Sequence, residues 1–405
     1  MVAALKAAGG RRDLGREFVP EPSSMVNSET GWRSGRADKD AVRLEAGAED
    51  PPAVRRWKFS ELLAEPAVKA RWEKVRRYFF LRESTYDMTN RCNIRCDGCY
   101  YYEGAKQFAR ENGDPEAWRE LMRREKARGI TYVVLAGAEP SLVPDLLAVC
   151  SAEMPLGCIA TNGVRSIDPA VGYRVHISVW GNDGTSFRVR KARGLLRRQI
   201  DNYRGDPRAV FVYTFTRENI DEAAEVISIL AAADCRVTFN VFSAPVGYTG
   251  GLRHDAASLL RMREVMREML ERHPRHLLFS PYNAVAHTHT QGLHDLFNCS
   301  YPRRNASTAI GLGRSFRQFR ADLTWDRDVA CCVPDTDCDD CRHYAAGSAV
   351  VTARLYRHVT DPLTFKAWLD YVDTYLAVWV MGYEKGEILC PEMIAPPEGK
   401  GTRKP

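Results

Sequence analysis

No apolar run in this 405-residue chain approaches the ~20 residues that a membrane-spanning helix requires. The longest, 375–381 "YLAVWVM", falls far short, and the N-terminal "MVAALKAAGGRRDLGREF" contains no apolar h-region of the kind that directs secretion. The expectation is a cytoplasmic protein with no membrane partner. Charge of one sign is also scarce: 58 Lys and Arg stand against 52 Asp and Glu, a net charge of +6 that is too small and too mixed to argue for a nucleic-acid partner. No repeat or low-complexity tract is evident. Twelve cysteines are too few for a disulfide scaffold.

What is present is an uneven placement of those cysteines. Seven fall into two groups, Cys92, Cys96, Cys99 and Cys331, Cys332, Cys338, Cys341, which in a cytosolic chain argues for metal or cluster ligation. Cys150, Cys158, Cys235, Cys299 and Cys390 stand singly, where a cysteine is most often a small buried hydrophobe.

Residues 1–56 are rich in Gly, Arg, Glu, Asp, Ser and Pro without periodicity and read as a mobile arm. An amphipathic helical stretch over 57–80 leads to a first strand at 83–88. "DPEAWRELMRREKARG" (114–129) carries an Asp114 N-cap, Pro115 at the first helical position and Gly129 as stop. Short apolar runs at 131–136, 156–160, 174–180, 209–215 and 236–242 read as strands, and helical patterns at 186–204, 219–233 (opening on Asn219) and 255–272 lie between or after them. Six strands alternating with helices predict an α/β fold with a parallel sheet, wholly or partly closed as a barrel over 57–275, with chemistry at the C-terminal strand ends. Beyond 275 the pattern turns to loops, His, Cys and a long apolar helix at 362–382, expected as a smaller C-terminal module over 276–405.

Four thiolates close the coordination of a structural zinc or an ordinary iron-sulfur cluster; three leave a corner open. Cys92, Cys96 and Cys99 offer three, directly after a strand. A three-cysteine zinc completed by a distant His is the competing reading.

The spacing Cys-x3-Cys-x2-Cys followed by Tyr100, after a first strand and before a run of βα units, resembles the radical S-adenosylmethionine (radical SAM) superfamily. The resemblance implies a partial (β/α)6 TIM-like barrel in which Cys92, Cys96 and Cys99 bind a [4Fe-4S] cluster and S-adenosylmethionine takes the fourth iron. It implies cleavage to a 5'-deoxyadenosyl radical, hydrogen abstraction from the substrate, and an external electron donor of flavodoxin or ferredoxin type. "LAGAEP" (135–140) resembles the family's Gly-Gly-Glu-Pro motif and assigns Gly137 and Glu139 to the methionyl amino group. The resemblance also implies that "ATNG" (160–163) places Asn162 towards the site, that "ISVWG" (177–181) offers Ser178 to the ribose and that Arg190 is a candidate carboxylate partner; one ring of Tyr100, Tyr101 and Tyr102 is a candidate to stack on adenine, with the others packing.

The second group, Cys332-x5-Cys338-x2-Cys341 with Cys299 upstream, holds four thiols and resembles the auxiliary-cluster modules of SPASM or Twitch kind. One auxiliary iron-sulfur cluster is expected; zinc at the same thiols is the alternative. Adjacent side chains do not easily serve one compact site, so Cys332 is taken as the ligand and Cys331 as a spare thiol, a candidate hydrogen-atom donor to a substrate radical. His287, His289 and His294 are read as substrate-bonding or loop residues. The expected activity is epimerisation or dehydrogenation of a small molecule, a sugar or natural-product intermediate. A peptide-modifying maturase, an RNA-modifying enzyme and a non-enzymatic zinc protein are the alternatives.

Overall fold

The computed structural model describes residues 57–103, 109–245, 247–290, 317–325, 340–344 and 359–392. The expected N-terminal arm lies outside them. Six parallel strands, β1 (Glu83–Asp87), β2 (Tyr132–Ala136), β3 (Gly157–Thr161), β4 (Arg174–Val179), β5 (Ala209–Phe215) and β6 (Val237–Val241), occur where the apolar runs predict them. A seventh, β7 (Gln318–Phe319), joins in parallel at the β1 edge, giving the order β6-β5-β4-β3-β2-β1-β7. Two residues are too short to show periodicity in the sequence; what fixes them is the stacking of Phe319 on Tyr86, ring centroids 5.2 Å apart. The sheet is that of a partial TIM-like barrel.

Strand alternation sorts the side chains into two layers. Val133, Leu135, Ile159, Val175, Ile177, Phe211, Tyr213, Val237 and Phe239 pack outward in one buried cluster. That cluster takes in Trp118, Leu121 and Met122 of the helix Pro115–Ala127, Val226 and Leu230 of Ala223–Ala232, and Met262 and Met266 of Ala256–Arg272. Asp114 caps the first of these as expected, accepting from the Glu116 N–H at 3.0 Å.

Two helices depart from the sequence pattern. The continuous helix expected over 186–204 is two, Asp183–Arg190 and Leu195–Tyr203, separated by left-handed residues at Lys191 (φ 56) and Gly194 (φ 58). The break is closed on both sides: the Lys191 N–H donates to the Phe187 carbonyl at 3.1 Å, ending the first helix, and Asp183 Oδ1 accepts from the Leu196 N–H at 3.1 Å, capping the second. The helix expected to open on Asn219 begins at Ala223. Asn219 is drawn back into the turn instead, accepting from the Thr216 N–H at 2.8 Å and donating to the Thr214 carbonyl at 2.9 Å.

The C-terminal helix Pro362–Trp379 is buried around nearly its whole circumference, against the inner face of the sheet and the helix Pro66–Val75. Leu369, Val372 and Leu376 are fully buried, each contributing about 1.5–3 kcal/mol over an exposed side chain. Its buried acids are answered from the helix Pro66–Val75, far away along the chain: Arg71 lies 3.2 Å from Asp370 and 3.3 Å from Asp373, and Lys74 lies 3.2 Å from Asp373. The carbonyls of the last turn are met by inward-facing strand residues, Tyr132 Oη to Trp379 at 2.6 Å and Arg174 Nη2 to Ala377 at 3.0 Å. The helix thereby floors the barrel. Among the described residues no helix is long and apolar enough to cross a membrane.

Candidate active site at the strand ends

The C-terminal ends of the strands and the concave face below them line a cavity of about 290 Å³ that is partly open to solvent. Cys92, Cys96 and Cys99 line it together, all half-buried, on the loop between β1 and the short helix Tyr100–Glu103. The loop is tied at both ends. Asn90 Nδ2 donates to the Ala109 and Arg110 carbonyls at 2.9 and 3.0 Å, and the Asp97 N–H donates to the Val189 carbonyl at 2.8 Å. Gly98 turns with φ +68, and a Cβ there would come within 3.0 Å of the Phe242 ring.

Burial is the main cause that pushes the Cys92 thiol up, with the charges of Glu139 and Cys96 adding to it. Burial and the neighbouring Cys96 carry Cys99 up to about 11. Both shifts favour the protonated thiol at Cys92 and Cys99, protons that a bound metal centre would displace. Among the described residues no three His, Cys, Asp or Glu side chains converge on a single ion position. A loop of three thiols spread along one cavity wall suits a polynuclear cluster with an open corner better than a tetrahedral zinc.

The residues singled out in the sequence gather around this loop. Gly137, at the end of β2, has φ +118, and a Cβ would stand 2.8 Å from the Met88 N, so only glycine lets the β1 and β2 ends close together. Glu139 is 1% exposed. Its Oε1 accepts from the Ser141 N–H at 2.9 Å and from Thr161 Oγ1 at 2.7 Å, and its Oε2 accepts from the Asn162 N–H at 2.8 Å. Asn162 Nδ2 lies 3.6 Å from Cys92 Sγ and donates to Asn93 Oδ1 at 2.6 Å. Ser178 Oγ accepts from Trp180 Nε1 at 2.9 Å. Gln199 Nε2 ties the β3 and β4 ends by donating to the Asn162 and Ser178 carbonyls at 2.7 and 2.8 Å. Arg190 Nε lies 3.5 Å from Cys96 Sγ, and its Nη1 donates to the Ser178 carbonyl.

The Tyr100 side chain, Cys299, Cys331, Cys332, Cys338 and His294 lie outside the described residues. Cys341 is buried on the segment 340–344, which is held at the β6 end: Arg342 N–H donates to Ser243 Oγ and Tyr344 N–H to Asn240 Oδ1, both at 2.9 Å. His287 is buried away from the cavity; its Nδ1 meets the Arg342 carbonyl at 3.0 Å and its ring stacks on Tyr371. The His289 carbonyl accepts from Arg342 Nη2 at 3.0 Å.

The cavity floor holds residues that the motifs did not flag. His176 Nε2 donates to the Val378 carbonyl at 2.9 Å, which fixes the tautomer and leaves Nδ1 to accept from Tyr344 Oη at 2.9 Å. Burial drops the His176 pKa to about 4, so the ring is neutral. Thr214 and Asn240 face the same space. His176, Thr214 and Asn240 are polar residues at inward positions of otherwise apolar strands, a signal that strand alternation could have raised. Tyr344 and Trp379 arrive from distant segments and leave no local trace.

Residues 86–250 match the Radical SAM superfamily. The chain is 26% identical over 163 residues to the sporulation killing factor maturation protein SkfB of Bacillus subtilis, covering 37% of this chain and 39% of that protein. It is 30% identical over 140 residues to GTP 3',8-cyclase of Geobacter sulfurreducens, covering 31% of this chain and 41% of that one. The chain thus spans about two fifths of the length of the curated relatives it matches. Among solved structures, Streptococcus suis SuiB bound to S-adenosylmethionine aligns over 62% of each chain at 16% identity with a TM-score of 0.45.

Proposed function

We propose, from the premise that residues 86–250 form a radical SAM domain, that this chain is an enzyme that removes a hydrogen atom from a C–H bond of its substrate. Radical SAM domains use a [4Fe-4S] cluster and S-adenosylmethionine, which when bound supply a 5'-deoxyadenosyl radical. The observation that carries the reading is the meeting of three half-buried thiols on one loop with Gly137, Glu139, Asn162, Ser178 and Arg190 around one cavity.

In this reading Cys92, Cys96 and Cys99 hold the cluster. Glu139 is oriented by three donors and keeps acceptor capacity on Oε2 for the methionyl amino group. Ser178 and Asn162 face the nucleoside, and Arg190 faces the carboxylate. The floor of Trp379, Tyr344 and His176 excludes water from below. Cys341, with Cys299, Cys332 and Cys338, is assigned to an auxiliary cluster beside the β6 end, and Cys331 to hydrogen-atom donation. An external one-electron donor supplies the reducing equivalent.

Two substrate classes have support. Similarity to GTP 3',8-cyclase favours a small molecule, for which epimerisation or dehydrogenation is the proposed outcome. Similarity to the SkfB maturation protein favours a peptide. Incubating the reduced, iron-loaded protein with S-adenosylmethionine and either a metabolite panel or a peptide library, and following 5'-deoxyadenosine, separates them. Stimulation by the class of substrate decides between the two; stimulation by neither, with no basal cleavage, rejects the enzyme reading.

A further inference from the structure

Arg190 is the last residue of its helix, 3% exposed, in the wall of the cavity. Among the described residues no carboxylate stands within ion-pair distance of it; its partners are the Cys96 sulfur, 3.5 Å from Nε, and the Ser178 carbonyl on Nη1. A buried guanidinium without an anion is costly, so the site is built for a negative group at the end of those N–H bonds. The two anchors also fix the guanidinium plane. Nε–H points at the Cys96 sulfur and Nη1 at the Ser178 carbonyl.

The second cysteine with a side-chain donor is Cys92, and its donor is neutral: Asn162 Nδ2 at 3.6 Å, shared with Asn93 Oδ1 at 2.6 Å. The loop therefore presents one sulfur to a cation and another to an amide. Hydrogen bonds and charge at cluster sulfurs are among the principal controls of cluster potential, and a cation favours the more negative, reduced state.

We propose that Arg190 is a positioning residue for the cysteine-bound centre: its Nε–H donates to Cys96 once that sulfur is a ligand, and its charge raises the cluster's reduction potential. The step concerned is a one-electron reduction, [4Fe-4S]2+ to [4Fe-4S]+, with the electron from an external low-potential donor. This rests on the radical SAM reading, and goes beyond it in giving Arg190 a role toward the cluster that does not depend on the S-adenosylmethionine carboxylate.

The test uses the full chain, reconstituted with iron and sulfide without S-adenosylmethionine, and grown with 15N-arginine. Pulsed EPR of the dithionite-reduced wild type is expected to show a 15N coupling that vanishes in Arg190→Met. Redox titration is expected to place Arg190→Met at lower potential than wild type, Arg190→Lys between them, and Asn162→Leu closer to wild type than Arg190→Met. Absence of the 15N coupling in wild type, or equal potentials for wild type and Arg190→Met, overturns the proposal. If Arg190→Met does not hold a cluster, the wild-type coupling decides alone. A wild type that binds no iron-sulfur cluster at all refutes the radical SAM reading, a distinguishable failure.

Discussion

Replacing Glu139 by Gln probes the carboxylate that holds the β2 and β3 ends in register with the cysteine loop. In the native site Oε1 takes two donors and Oε2 takes the Asn162 N–H. A glutamine keeps the shape and keeps the pair at Oε1, but sets its NH2 against the Asn162 N–H. One hydrogen bond to a charged group is lost and a buried donor is left facing another donor, a cost of about 2–3 kcal/mol. Glu139→Ala strips all three donors and should cost about twice that, since each buried unsatisfied group adds roughly 1–3 kcal/mol. Because Asn162 stands 3.6 Å from Cys92 Sγ, its displacement reaches the cluster loop. In the proposed reading Glu139 faces the methionyl amino group, so loss of its negative charge should weaken S-adenosylmethionine by about 10- to 100-fold, equivalent to roughly 1.4–2.8 kcal/mol. Denaturant midpoints for the three proteins, with titration of S-adenosylmethionine against the reduced-cluster EPR signal, give both numbers. Glu139→Gln with wild-type stability and wild-type S-adenosylmethionine affinity would refute the reasoning.

Other outcomes follow from the same structure. His176 is buried and neutral with its pKa at about 4, below the unfolded value, so it contributes stability that is present above pH 6.5 and lost as pH falls from 6.5 towards 4. His176→Gln, whose amide can still donate to the Val378 carbonyl, should flatten part of that acid slope in unfolding measurements; an unchanged slope would contradict the assignment. Trp379→Ala, which opens the floor beneath the cavity, should cost about 3–5 kcal/mol in denaturant unfolding; a loss under 1 kcal/mol would show that the helix end does not close the barrel. If the reaction is an epimerisation quenched by Cys331, turnover in heavy water should place solvent deuterium at one stereocentre, and Cys331→Ala should abolish that while retaining its iron. Iron loss in both Cys331→Ala and Cys332→Ala would reject Cys331 as donor.

Much of the barrel is legible in the sequence because its strands are short apolar runs between punctuated helices, a pattern set by local packing. All six appear where that pattern puts them. What local pattern misses is set by distant chain. The two-residue β7 exists through Tyr86 and Phe319, and the helix expected over 186–204 breaks at the left-handed Lys191 and Gly194, where Asp183 supplies a cap to Leu196 that periodicity does not weigh. The apolar face of the 362–379 helix is plain in the sequence, but its place on the barrel floor depends on Tyr132, Arg174 and Arg71, each far away along the chain. At the site, the cysteine triplet and the turn residues Gly137, Glu139 and Asn162 stand out in the sequence as spaced motifs, and the structure brings them to one cavity. His176 is readable only as a polar residue at an inward strand position. Its partner Tyr344, 168 residues on, is not.

The central claim, that Cys92, Cys96 and Cys99 hold a [4Fe-4S] cluster that acts on S-adenosylmethionine, is tested most directly by one anaerobic measurement. Iron and zinc are counted in the purified wild type and in Cys92→Ala/Cys96→Ala/Cys99→Ala, and 5'-deoxyadenosine is measured after reduction in the presence of S-adenosylmethionine. The account predicts brown wild-type protein that forms 5'-deoxyadenosine, and a triple variant that loses about four irons together with all of that product. Colourless protein carrying zinc, or 5'-deoxyadenosine formation undiminished in the triple variant, would contradict it.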